Sequence, residues 1–144
     1  TNTKLYGDND PYLQSRIDSF LDANLVFSRE FQVYVLEVKS LNNHLYNRMK
    51  SAYLFYMSGI ENALSKDEFI SGPHLTIADV SFVCDLAQFL RERDRQSLIN
   101  ESGYEIVSKN FKEDFPKSFK HLLMLYNKDE FQEVMKGFLD GILS

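Results

Sequence analysis

Three observations predict an all-α fold. Apolar residues recur at steps of three and four along most of the chain, the spacing of a helix with one buried stripe. Six glycines and three prolines punctuate 144 residues only sparsely, leaving long uninterrupted segments. One segment, "FQVYVLEV" at 31–38, alternates like a strand, but no second convincing strand could pair with its backbone, so the helical reading is preferred. The expectation is one domain over residues 1–144, about five to six helices around a buried central one.

The first helix starts at "NDPY", where Asn9 or Asp10 can cap and Pro11 suits the first turn. Its stripe runs through Leu13, Ile17, Phe20, Leu21, Phe27, Phe31, Val35 and Val38. The second covers roughly Asn43 to Leu64, with Leu45, Met49, Ala52, Tyr53, Tyr56, Met57, Ile60 and Leu64 facing inward. Gly59 inside it costs about 1 kcal/mol against alanine, which close approach of another backbone would justify. "SKDEFISGPH" is a loop, stopped by Gly72-Pro73.

The third helix lies in "HLTIADVSFVCDLAQFL", residues 74–90. Thr76 and Asp79 form a capping box in a shorter-armed version, Asp replacing the usual Glu or Gln. Leu75 and Val80 are placed as a hydrophobic staple. Beyond them the segment has no wide polar face, which marks a central helix covered by its neighbours. Buried N–H groups at its start have no water to bond, so losing Thr76 or Asp79 should cost about 1–2 kcal/mol or more.

"RDRQSLINESGYEIVSKN" is mixed, with room for a short helix and a loop around Gly103. "FPKSFKHLLMLYN" predicts another helix, Pro116 near its start and Phe119, Leu122, Leu123 and Tyr126 as its stripe. "DEFQEVMKGFLDGIL" predicts a last short one, capped by Asp129, with Phe131, Val134, Met135 and Phe138 inward.

Composition narrows function. A hydrophobic share of 44% with 26% charged residues is globular. No apolar run approaches the ~20 residues of a membrane span. A net charge of −5 argues against a nucleic-acid surface. The alternation of Arg91, Arg93 and Arg95 with Glu92 and Asp94 reads as a solvated helix end. The one cysteine, Cys84, excludes an intrachain disulfide and points to a reducing, cytoplasmic setting. The polar opening "TNTKLYGDNDPYLQ" lacks a methionine and reads as a cut within a longer chain.

Taken in order, these segments resemble the C-terminal all-helical domain of cytosolic glutathione transferases. "SGPHLTIAD" and the apolar run after it look like that domain's glycine-bearing turn, Ser/Thr-x-x-Asp box and central helix. "DPYLQSRIDSFLDANLVFSREF", with Arg16 and Asp22, is similar to its long first helix. "MKSAYLFYMSGIENALSKDEFISG" is similar to the second, and "FPKSFKHLLMLYNKDEFQEVM" to the late segment. The span from Arg91 to Pro116 is longer than the family's usual connection.

That resemblance implies a role. The first helix would supply one wall of the hydrophobic electrophile pocket through Asn24, Phe27, Ser28 and Phe31, although Phe27 and Phe31 also suit ordinary core packing. Asp22 would approach glutathione, or remain a solvated surface acid. Glutathione would be the co-substrate and a small hydrophobic electrophile its partner; no other cofactor is implied. The family's thiol-activating residue belongs to a thioredoxin-like domain that these residues do not contain, so no catalytic residue is assigned and the isolated chain is expected to be inactive. A homodimer, or a protein partner, is implied, and neither nucleic acid nor membrane. Related helical domains in the gamma subunit of elongation factor one and in aminoacyl-tRNA synthetases and their scaffolds give the alternative, a non-catalytic interaction module.

Cys84, mid-helix among apolar neighbours, reads as a packed, unreactive thiol. Asp85 needs a hydrogen-bonding partner or a groove. His44, His74 and His121 lack metal-ligand spacing.

Overall fold

Asp10 starts the first helix: its carboxylate accepts the N–H groups of Tyr12 at 3.0 Å and Leu13 at 3.4 Å, and Pro11 occupies the first position. A computed structural model describes residues 3–143. Helix α1 spans Pro11–Leu36, so the strand-like "FQVYVLEV" is helical up to Leu36 and turns into a 3₁₀ segment at Val38–Ser40. Helix α2 spans Asn43–Leu64 and is capped by Asn42, whose side chain accepts the Leu45 N–H at 3.0 Å. Then come α3, Ile77–Leu90; a 3₁₀ turn, Arg91–Arg95; α4, Gln96–Glu101; α5, Phe111–Asp114; α6, Pro116–Tyr126; and α7, Asp129–Met135. A short 3₁₀ turn at Thr3–Tyr6 precedes them. Among the described residues there is no strand, only an isolated bridge between Phe69 and Gly72 in the loop before α3. No helix of these residues is long and apolar enough to cross a membrane.

Helices α1 and α2 pack along each other, α3 lies against α1, and α6 closes the bundle on α2 and α3. Aromatic rings fill the junction. Phe27 stacks on Tyr56 with centroids 5.0 Å apart and meets the Phe89 ring edge-on at 5.2 Å. Tyr53 lies 5.2 Å from Phe89. Such contacts add about 0.5–1.5 kcal/mol each beyond area burial. On α3, Phe82, Val83, Leu86, Ala87, Phe89 and Leu90 are wholly enclosed.

The capping box at Thr76 and Asp79 is present. Its carboxylate half does more than close the helix. Asp79 Oδ2 accepts the Thr76 N–H at 2.9 Å, while Oδ1 accepts the Ile70 N–H at 3.1 Å and the His121 Nε2 donor of α6 at 2.7 Å. Asp79 is fully buried. The Thr76 hydroxyl lies 3.4 Å from Ser71 Oγ. Leu75 and Val80, the expected staple, are both half-buried.

Four expectations are corrected. Gly59 faces open space, with nothing within 4 Å of where a Cβ would stand, so no backbone approaches it. Asp129 does not cap α7, whose N-cap is Lys128 without a side-chain bond. Val134, inside α7, is 84% exposed, and Phe138 is also at the surface, beyond the point where Gly137, at φ +78, ends the helical register. Leu139 and Ile142 are the buried residues of the tail instead. Finally, the arginine run is not a solvated helix end. Arg91 donates to the Phe138 carbonyl at 2.8 Å, and Arg93 to the Ile142 and Ser108 carbonyls at 3.2 and 3.1 Å. Both residues thereby hold the tail against the end of α3.

Between them Glu92 is fully buried. It accepts the Tyr34 hydroxyl at 2.9 Å, the Val107 and Ser108 N–H groups at 3.1 and 2.7 Å, and the Ser108 hydroxyl at 2.6 Å. Burial pushes its carboxyl above the usual carboxylate range, and the four donors pull it back.

Asp79→Ala leaves two backbone N–H groups and a histidine nitrogen without their acceptor. At about 1–3 kcal/mol per orphaned buried donor, the loss should be about 3 kcal/mol or more. For a chain of this size that lowers the melting temperature by about 6–12 °C, readable by calorimetry. The phenols of Tyr34, Tyr53 and Tyr56 are held above their ordinary 10.0, in each case chiefly by burial. Their stabilising effect is complete below pH 10.0 and fades above it, because the unfolded chain ionises first. Thermal melts across that range should fall, and Tyr56→Phe should flatten the fall by up to about 1.4 kcal/mol per pH unit.

Candidate ligand-facing surface of the central helix

Helix α3 is not sealed all round. Ser81, Cys84 and Asp85 are half-buried and Ile77 and Gln88 exposed, a narrow line at steps of three and four. It runs beside Asn24 of α1. Asn24 Nδ2 donates to Ser81 Oγ at 3.1 Å and also to Asp85 Oδ2, and Gln32 Nε2 donates to Ser28 Oγ at 3.4 Å. Asn24 Oδ1 is buried without a partner among the described residues. Desolvation raises the Asp85 carboxyl above its ordinary 3.8, opposed by the Asn24 bond. The chemistry available is a short polar seam: amide, hydroxyl and a carboxyl that is partly dehydrated.

This seam joins one of the residues expected on the pocket wall, Asn24, to Asp85, while Ser28 is buried one turn further along α1 with Gln32 as its partner. It does not include the two phenylalanines. Phe27 and Phe31 point into the core, where Phe31 lies 5.4 Å from Phe27 and 6.0 Å from Phe89. Both are buried there as packing side chains. Asp22 is exposed on α1. Ser81 was not singled out from sequence; its signal was its place four residues before Asp85 on an otherwise apolar helix.

A second depression, about 510 Å³, lies between α3 and α7. Val80 and Cys84 form its α3 side, Leu5 and Leu75 one end, and Phe131 and Met135 the α7 side. Lys128 and Glu130 stand at its rim. Burial, then the nearby Asp85, pushes the Cys84 thiol above its ordinary 9.0.

A third feature follows the outside of the α1–α2 pair. A groove of about 630 Å³ is walled by Phe20 and Ala23 from α1 and by Leu54, Phe55 and Gly59 from α2. Phe55 is 76% exposed beside it. Further along the same pair, Val26, Glu30 and Arg48 line a second hollow, with Glu30 and Arg48 in an ion pair at 2.5 Å. Among the described residues no three His, Cys, Asp or Glu side chains converge as a metal site.

No family model, curated protein or solved structure matches the chain.

The Cys84 environment makes a direct expectation. Ellman's reagent at neutral pH should modify Cys84 more slowly than free cysteine, and the rate should climb on the alkaline side of 9.0. Rapid labelling at neutral pH would show that the depression activates the thiol instead.

Proposed function

We propose that this chain is the C-terminal helical domain of a glutathione transferase-like protein, acting as a docking body rather than as the seat of the chemistry. The observation that carries the reading is the buried Thr76–Asp79 box at the start of an enclosed helix, in the order of segments described above. In such a protein the α1–α3 seam would face the electrophile pocket through Asn24 and Asp85. The glutathione thiol would be activated by a group in a separate domain.

The outer α1–α2 groove fits a second copy of the chain. Its centre is apolar, with Phe20, Ala23, Leu54 and Phe55. An ion pair, Glu30 with Arg48, lies toward one end. An apolar centre with charged flanks suits a two-fold contact, in which each copy offers the same surface. Fold analogy alone does not specify activity.

The withdrawal of Phe27 and Phe31 into the core favours the second reading, a non-catalytic interaction module of the kind found in the elongation factor one gamma subunit and in synthetase complexes. Under that reading the same groove meets a different protein.

Light scattering after gel filtration separates the two. The transferase-like reading expects a mass near twice 16.8 kDa at micromolar concentration, with Phe55→Ser giving a monomer of unchanged circular dichroism. A wild-type monomer sinks the homodimer. Neither protein should conjugate glutathione to chlorodinitrobenzene; measurable conjugation by the 144 residues sinks the docking reading.

A further inference from the structure

A depression of about 250 Å³ opens where the tail meets the segment before α5. Arg93, Lys109 and Lys112 line it, with the half-buried Phe119 beside them and the buried Phe111 and Ile142 beneath. Glu113 is the one acidic residue in its lining. With Lys109 paired to Glu105, Arg93 and Lys112 face the one acid of the lining, a local excess of positive charge in a chain whose net charge is −5.

The state of Arg93 gives the site its sign. Its two terminal nitrogens donate to the Ile142 and Ser108 carbonyls, both neutral. Its Nε–H is buried and has no acceptor among the described residues. No carboxylate of these residues forms an ion pair with it; the ion pairs belong to Arg48, Arg91, Lys109 and His121. Guanidinium cannot shed its proton, so the half-buried Arg93 carries a positive charge with no ion-pair partner among the described residues. The acid next to it in sequence, Glu92, is already engaged by Tyr34, Val107 and Ser108. Among the described residues Lys112 is in no ion pair either, its Nζ standing 5.7 Å from the Phe119 ring centroid. Lys109 is held by Glu105 at 2.6 Å, on the exposed side.

We propose that this depression binds a small phosphate-bearing molecule, with its oxyanion between Arg93 and Lys112 and its apolar part against the half-buried Phe119 ring. Charge-assisted bonds from a fixed guanidinium and a mobile ammonium are the usual recognition of such a group. Lys112 is exposed, so it can swing from the ring to the anion without disturbing the core. The site is independent of the α1–α3 seam and of the groove on α1 and α2.

The test uses the 144-residue chain, inorganic phosphate and phenyl phosphate, read by ¹⁵N–¹H correlation spectra and calorimetry. Saturable shifts are expected at the amides of Ser108, Phe111, Lys112 and Ile142, with phenyl phosphate the tighter ligand. Lys112→Gln, a surface change, should weaken both ligands about fivefold and leave the melting temperature in place. Arg93→Gln should abolish binding, and Lys112→Gln decides the matter if that variant does not fold. Shifts that never saturate, shifts centred elsewhere, or equal affinity in the wild type and Lys112→Gln would overturn the proposal.

Discussion

The architecture depends on one buried acceptor. Asp79 has no exposed surface and no water to turn to, yet three donors converge on it. One comes from the loop before α3, one from the first residue of its cap, and one from α6. A carboxylate in that position is costly to bury unless all three are in place. The Phe69–Gly72 turn, the start of the central helix and the seat of α6 are therefore set together. Hydrophobic contact alone would allow these parts to slide; the shared carboxylate fixes their register.

The other end of α3 repeats the device. Glu92, two residues beyond the helix, is as fully enclosed as Asp79 and gathers donors from α1 and from the segment before α5. The central helix is thus bracketed by buried acids, each joining pieces distant in sequence. A third acid works at the surface in the same way. Glu61 of α2 accepts the Lys117 and Ser118 N–H groups at 3.0 and 2.8 Å, closing the start of α6, where Phe115 has no capping side chain.

How much of this was readable from sequence follows from the range of each interaction. The bounds of α1 and α2, the capping box and the enclosure of α3 depend on neighbours three or four residues away, so periodicity and capping patterns disclose them. His121 on Asp79, Glu92 on Ser108 and Glu61 on α6 depend on separations of 42, 16 and 57 residues, and no local pattern encodes them. Arg91 and Arg93 misled for a related reason: alternating charge looks solvated until the tail that covers it is known. At the candidate seam, Asp85 was visible as a polar residue on an apolar helix and Asn24 only through the family resemblance, and their pairing was not visible at all. Phe27 and Phe31 illustrate the converse. An aromatic at helical spacing looks the same whether it lines a pocket or a core, and here the facing rings of Tyr56 and Phe89 decide for the core.

The clasp on the tail has an evolutionary corollary. Arg91 and Arg93 grip main-chain oxygens at positions 138 and 142, and main-chain oxygens are common to every amino acid. Substitution among the outward side chains of that stretch leaves the grip intact, whereas a change in the path of the chain releases it. Selection should therefore act there on Gly137 and Gly141, whose left-handed backbones shape the path, and leave the letters between them free to drift.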